Sequence, residues 1–318
     1  MENVNSDPAI SIVIISYNTA EMTRDCIASV IAQTTMPFEL IVLDNASQDG
    51  SAQMIAESFP TVKLIAEPIN HGFGPAHKIA IQHATAPWLL LLNPDTVVLD
   101  HAIDKVFAFA QRSPNYGIWG GRTMYGDGSL NPTSCFAKMT LHSVLFRVLG
   151  LNGLFRRSKF FNAEYYGDWS RDTEREVDIV TGCFLLIRRD LWDRLGGFDD
   201  AFFMYGEEVD LCLRAQALGA RPHITPDATI IHYGGASQAV RSDKIIRLLR
   251  AKIELIKRHF PAAQISLGCS LFRLWPLSRQ WAYKVAVLVR PGERTQKNSQ
   301  AWTEVWARRK EWWNGFEG

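Results

Sequence analysis

The chain has 318 residues, 47% of them hydrophobic and 21% charged, with a formal net charge of +1. That balance excludes a disordered polyelectrolyte and supplies enough apolar material for a large core. It also provides no general field for holding a nucleic acid, and the length admits either one α/β domain with an appendage or two domains.

Short β-type runs and helical stretches alternate through the first hundred residues. Ile10 to Ile15, Glu39 to Leu43, Val62 to Ile65 and Trp88 to Leu92 are predicted strands; Glu21 to Gln33, Ser51 to Phe59 and Pro75 to Ala84 are predicted helices, with Asp49 and Gly50 as caps of the second. This β-α-β-α-β-α-β order predicts a parallel sheet covered by helices, whose ligands sit beyond the carboxyl ends of the strands. An irregular middle follows, with turn signals at Gly120-Gly121 and Tyr125 to Gly128, then an apolar and basic stretch from Leu141 to Phe161. Two readings of that stretch stand: an amphipathic segment facing a membrane or acceptor, or a helix pair packed on the core. Beyond it, Ile179 to Ile187 is a predicted strand, Asp190 to Leu195 a short helix stopped by Gly196-Gly197, and a helix opened by Glu207-Glu208-Val209-Asp210 ends near Gly219. A further strand, Ala228 to Ile231, leads into His232-Tyr233-Gly234-Gly235.

Six of the ten tryptophans lie in the tail, at 275, 281, 302, 306, 312 and 313, interleaved with basic residues. Here too there are two readings: a surface at the lipid headgroup level, or a helical layer that packs internally and exposes a basic face. Five scattered cysteines without a close pair indicate a reducing compartment. The acidic N-terminus lacks the pattern of a signal peptide, and no run of roughly 18 uncharged apolar residues occurs. The expected location is therefore cytoplasmic, with the inner face of the membrane as a place of contact.

The residues that follow the strands carry the chemistry. Ser16-Tyr17-Asn18 follows the first strand and is not the glycine-rich turn of a dinucleotide-binding enzyme. Asp44 follows the second, where it can accept the imide hydrogen of a uracil or thymine while Tyr17 lies against the base; the plain alternative is a helix-capping loop. Asn70-His71-Gly72-Phe73-Gly74 precedes a helix whose N-terminal amides can meet ribose or phosphate. Asn93-Pro94-Asp95 follows the fourth strand. Cleaving a sugar from a diphosphate leaves an anion that needs a cation, and Asp95 together with His232 can hold magnesium or manganese; alternatively Asn-Pro-Asp is only a turn. Gly234-Gly235 and Ser237 offer close backbone approach and a hydroxyl donor for phosphate. Glu207, Glu208 and Asp210 form an acidic group suited to accepting a proton from an acceptor hydroxyl, although acids at a helix start also favour the macrodipole.

Taken in order, these segments resemble glycosyltransferase family two over about residues 10 to 260, and within it the rhamnosyltransferase-like branch. The resemblance rests on Ser-Tyr-Asn at 16 to 18, Asp-Asn-Ala-Ser-x-Asp-Gly-Ser at 44 to 51, Asn-x-Gly-Phe-Gly at 70 to 74 and Asn-Pro-Asp at 93 to 95. It continues through Gly-Gly-Phe-Asp at 196 to 199, Phe-Met-Tyr-Gly-Glu-Glu-Val-Asp-Leu-Cys-Leu-Arg at 203 to 214 and His-Tyr-Gly-Gly-Ala-Ser at 232 to 237. The resemblance implies a GT-A fold and an inverting, metal-dependent transfer from a nucleotide diphosphate sugar, thymidine diphosphate rhamnose being the family-level expectation. The acceptor it implies is a glycan or lipid-linked glycan. It implies nucleotide contacts from Ser16, Tyr17, Asn18, Asp44, Asn70, Gly72, Phe73 and Asn93, and metal ligation by Asp95 and His232. The catalytic base it implies is Glu208 first and Glu207 second, with Thr181, Gly182 and Asp210 in acceptor or donor loops. The expected division is a catalytic domain over 1–260, its nucleotide half ending near 120, and a helical aromatic and basic tail over 261–318. Two departures stand out: His77 where many relatives have asparagine, and Glu-Glu where Glu-Asp is common. A sugar-phosphate nucleotidyltransferase is disfavoured because no glycine-rich basic loop follows the first strand. A non-catalytic glycan-binding or scaffold protein remains the alternative.

Overall fold

The structure is a computed structural model that describes residues 7–234 and 241–316. In chain order it runs β1 (Ile10–Ser16), α1 (Ala20–Gln33), β2 (Phe38–Asn45), α2 (Ser51–Ser58), β3 (Lys63–Glu67), α3 (Phe73–Ile81), β4 (Trp88–Leu92), β5 (Thr96–Val98), α4 (Ala102–Arg112) and β6 (Ile118–Met124). Then come β7 (Leu130–Asn131), β8 (Cys135–Phe136), α5 (Leu141–Leu149), α6 (Leu151–Leu154), β9 (Arg175–Glu176), β10 (Ile179–Val180), β11 (Phe184–Arg188), α7 (Arg189–Leu195) and α8 (Glu207–Ala217). The last elements are β12 (His223–His232), α9 (Arg241–His259), α10 (Ala262–Val289) and α11 (Glu293–Ala307).

The chain forms two compact units. The first comprises 1–136, 170–203 and 207–237, the second 137–169, 204–206 and 238–318. In the first, the main sheet has the order β3-β2-β1-β4-β11-β6-β12-β5. Strands β1 to β4 pair in parallel, β11 runs antiparallel between β4 and β6, and β12 lies parallel to β6 and antiparallel to β5. Every residue of β1 is buried, as expected of a largely apolar strand covered on both faces. Helix α1 turns Thr23, Cys26, Ile27 and Val30 inward at helical spacing, and α4 does the same with Ile103, Val106, Phe109 and Ala110. Fully burying each large aliphatic side chain contributes about 1.5–3 kcal/mol.

The predicted strand Ile179 to Ile187 is broken in two. Ile179 and Val180 pair with Phe136 and Cys135, whereas Phe184 to Arg188 join β4 in the main sheet. The chain changes sheets through Thr181–Cys183, because the Thr181 hydroxyl and amide both bond to carbonyls of the 133–134 segment.

In the second unit α5, α9, α10 and α11 enclose a core of Val144, Leu249, Ile253, Ile256, Phe272, Trp302, Val305 and Trp312. Tail tryptophans therefore serve mainly as core: Trp302 and Trp312 are buried, and Trp275, Trp306 and Trp313 pack against them, with Trp281 alone of the six exposed. Buried Glu164 joins buried Arg147 to Lys252, whose Nζ is 2.9 Å from the carboxylate. Burial pushes the Glu164 carboxyl up, but Arg147 and Lys252 outweigh it and hold the pKa at about 2.

Candidate active site

The sheet brings the sequence-predicted residues to one edge. Ser16 at the end of β1 stands in register with Asp44 at the end of β2, and both are buried. The Ser16 hydroxyl is engaged with Thr23 at 2.9 Å. Asp44 Oδ2 accepts the Ser47 amide at 3.0 Å, so it does cap a turn, yet its buried Oδ1 has no protein partner. A buried carboxylate oxygen is costly to leave unbonded, and this one is suited to a donor on a ligand. Asn18, at φ 51, crosses to the same loop: its amide donates to Ser47 Oγ at 2.9 Å and its side chain accepts the Gln48 amide at 2.8 Å. Asp49 bonds the amides of Ala20 and Ser51, tying the starts of α1 and α2 together.

Adjacent strand residues point to opposite sides, and Asn45 accordingly faces away from Asp44 toward the 70–72 loop. Its Nδ2 donates to Asn70 Oδ1 and Gly72 O, and its Oδ1 accepts the His71 amide at 2.9 Å. In the sequence Asn45 stands only as one member of the 44 to 51 segment, and the signal for its role is a second amide, Asn70, two residues before Gly72. Gly72 has φ 85 and ψ −172, a region open essentially to glycine, and a Cβ there would stand 2.3 Å from Phe203 O. Phe73 N donates to that same carbonyl at 2.7 Å, which holds Phe203 against the start of α3.

Asp95 and His232 meet because β12 pairs antiparallel with β5, setting His232 opposite Thr96. Asp95 Oδ1 lies 3.4 Å from His232 Nε2, Asn93 Nδ2 lies 3.3 Å from the same nitrogen, and Asn131 Nδ2 donates to His232 O. Burial lowers the imidazole's pKa, but Cys183 and the Asp95 carboxylate raise it further, to about 10. Burial likewise pushes the Asp95 carboxyl up, and the bond and charge of His232 bring it below the ordinary carboxylate value. Three buried polar atoms at the strand ends have no partner among the described residues: Asp44 Oδ1, Asn93 Oδ1 and His232 Nδ1. Gly235 and Ser237 lie outside the described residues.

Among the described residues no cluster of three or more His, Cys, Asp or Glu side chains is placed to hold a metal ion. One carboxylate and one imidazole, once the imidazole gives up the proton that Asp95 stabilises on it, would nonetheless be able to hold magnesium or manganese.

Helix α8 begins with the acidic residues, and Tyr205 and Gly206 just before it have φ 73 and 93. A bulky residue with positive φ is a backbone outlier of the kind that collects at functional sites. Glu207 is buried with Oε2 unpartnered; burial and the neighbouring Glu208 charge raise its carboxyl well above the ordinary glutamate value. Glu208 is half-buried. Asp210 is buried and bonded to Arg214, which also donates to Leu195 O and Gly197 O, so it fastens α8 to the end of α7. Gly182 sits where a Cβ would stand 3.3 Å from the Phe73 ring. His77, the departure noted above, is fully buried beside Phe73 and Phe198; Nδ1 bonds to Phe73 O, and burial lowers its pKa to about 4, so it is a neutral core residue.

Residues 11–196 match Glycosyl transferase family 2. The chain belongs to this family. Among its curated relatives is the N-acetylglucosaminyl-diphospho-decaprenol L-rhamnosyltransferase of Mycobacterium tuberculosis, 28% identical over 235 residues, covering 70% of this chain and 76% of the relative. Rhamnosyltransferase WbbL of Escherichia coli is 27% identical, covering 70% and 83%. Among solved structures, the mannosyltransferase PcManGT from Pyrobaculum calidifontis, in complex with GDP-Man and Mn2+, superposes with a TM-score of 0.58 at 16% identity, covering 97% of this chain and 88% of that one. Staphylococcus aureus TarS 1–349 gives 0.51 at 15% identity, covering 93% and 78%. This family 2 chain thus has the GT-A glycosyltransferase fold.

Proposed function

We propose that this family 2 enzyme is an inverting, metal-dependent glycosyltransferase that moves rhamnose from thymidine diphosphate rhamnose to a hydroxyl of a lipid-linked glycan in cell-surface polysaccharide synthesis. On this reading it works at the cytoplasmic face of the membrane. The observation that carries it is the pairing of buried Asp95 with half-buried His232 at the strand ends, on the same edge as the unpartnered Asp44 oxygen. Two rhamnosyltransferases among the relatives support the sugar, and one of them bears the name of a decaprenol-linked acceptor.

Asp44 Oδ1 accepts the imide hydrogen of the base, with Tyr17 against the ring, and the loop of Asn70, Gly72 and Phe73 lies near ribose and diphosphate. Asp95 and His232 would hold the divalent ion, which would supply charge stabilisation to the departing diphosphate. Half-buried Glu208 is the base: it takes the acceptor hydroxyl's proton as that oxygen attacks the anomeric carbon and the bond to diphosphate breaks, inverting the centre. Glu207 is too deeply enclosed to reach an acceptor directly and sets the environment of Glu208. Thr181, Gly182 and Asp210 support the surrounding loops.

The test is donor hydrolysis and transfer across a panel of nucleotide sugars with manganese or magnesium. Metal-dependent turnover of one donor is expected, with Asp95→Ala losing nucleotide binding and Glu208→Gln losing turnover alone. If no nucleotide sugar binds in the presence of metal, the catalytic reading fails in favour of a glycan-binding scaffold.

A further inference from the structure

Helix α10 is built inside out. Its buried positions are Gly268, Cys269, Phe272, Pro276 and Gln280, a set with one large apolar side chain. On the opposite side Leu267, Leu274, Trp281, Val285, Leu288 and Val289 are 46–83% exposed. At 100° per residue these six fall within an arc of about 100°, and they extend over about 33 Å of helix. Scattered exposed hydrophobics need no explanation, but a continuous stripe opposite the packed face does.

The charge distribution identifies what covers it. Segments 137–163 and 255–292 contain eleven of the chain's 34 basic residues and none of its 33 acidic ones. Within the second unit these two segments pack together: α5 lies along α10, and Arg279 donates to Arg147 O at 2.6 Å. After α6 the chain exposes Phe155 and Phe160 beside Arg156, Arg157 and Lys159, all three exposed. On α10, Lys284 Nζ lies 5.3 Å from the centre of the Trp281 ring, and Arg290 follows Val289. Another protein would have to match an apolar stripe with acids at scattered points, whereas an anionic bilayer surface offers hydrocarbon and negative charge together. No helix among the described residues is long and apolar enough to cross a membrane.

We infer that this face of the second unit, the outward side of α10 with the 154–160 segment, docks on the surface of an anionic phospholipid bilayer. Trp281, Leu288 and Phe155 enter the headgroup boundary, and Arg156, Arg157, Lys159, Lys284 and Arg290 pair with lipid phosphates. The inference deepens the proposal of a lipid-linked acceptor but stands on the second unit alone.

Cosedimentation of the full chain with vesicles of phosphatidylcholine alone, or with a third of it replaced by phosphatidylglycerol, tests it at low and high salt. Binding is expected only with phosphatidylglycerol and should weaken with salt. Each basic residue at such a surface is worth about fivefold in partition, so Arg156→Gln/Arg157→Gln/Lys159→Gln should weaken binding about a hundredfold. Trp281→Ser/Leu288→Ser should weaken binding at both salt concentrations. Because the substituted side chains are exposed, unchanged thermal melting is expected and serves as the folding control. Hydrolysis of a soluble donor separates this test from that of the catalytic reading: variants that keep hydrolysis and lose vesicles support docking whatever the acceptor. Absence of binding to phosphatidylglycerol vesicles, equal binding by both variants, or a solution dimer that the same substitutions dissociate would overturn the inference.

Discussion

Glu207 places a carboxylate where the fold gains nothing from it. The side chain is 4% exposed, Oε2 has no partner, and burial together with Glu208 raises its pKa well above 4.5. An unsatisfied buried polar atom costs about 1–3 kcal/mol, and replacing it by an apolar group of similar shape can be stabilising. Glu207→Met keeps the unbranched stem and removes the burden, so it should stabilise the protein by about 1–2 kcal/mol at neutral pH. For a domain this large, that is a rise in Tm of roughly 2–6 °C. The sign with pH follows from the raised folded pKa. The unfolded glutamate ionises near 4.5 while the folded one still holds its proton, so wild-type stability falls as pH rises from 4.5 to the folded value. The Tm difference between variant and wild type should therefore grow with pH across that interval. Melting curves from pH 4.5 to 9 measure it, and turnover of the variant should fall as stability rises. A variant that melts lower than wild type at every pH, or a difference that stays flat with pH, would refute the reasoning.

Three further substitutions probe other parts of the frame. Gly72→Ala combines a glycine-only backbone with a Cβ 2.3 Å from Phe203 O; it should cost about 3 kcal/mol or more in urea denaturation and weaken nucleotide binding. Asn45→Ala removes three hydrogen bonds to the 70–72 loop and should raise the donor KM with a stability loss of about 1–3 kcal/mol, read by donor titration and urea melts. Glu164→Gln strands buried Arg147 and should cost about 3–5 kcal/mol at pH 7. Because the folded Glu164 pKa is depressed to about 2, its contribution is complete above pH 4.5 and disappears as pH falls toward 2; tryptophan fluorescence should show the variant losing less over that window.

The four leading strands were legible because each is a local apolar run, and the site residues because they directly follow those runs. Asp44 was readable for that reason, while the role of its neighbour Asn45 depended on which loop lies beneath the strand. The break at Thr181–Cys183 was not legible, since a strand tolerates Thr181, Gly182 and Cys183 and only the carbonyls of Thr133 and Ser134, far off in sequence, divide the run there. The second unit was the least readable. It joins 137–169 to 238–318 over the intervening segment of the first unit, and no periodicity announces such a pairing. Tryptophan spacing alone also does not distinguish a core indole such as Trp312 from an exposed one such as Trp281.

Asp95 and His232 show the same limit inside the site. Each is recognisable as a residue at a strand end, and a histidine in such a place is by itself unremarkable. What makes them a pair is sheet order: β12 reaches the far edge beside β5, His232 falls opposite Thr96, and Tyr233 N donates to Asp95 O at 3.0 Å. The backbone therefore fixes both residues before any ligand arrives, so the cost of bringing an imidazole beside a carboxylate is met during folding rather than binding. Asn131 adds to this by holding His232 through its carbonyl, while the ring itself stays beside Asp95 and Asn93. Preorganisation of this kind is what a site needs if it must act on charge that appears only as the diphosphate departs.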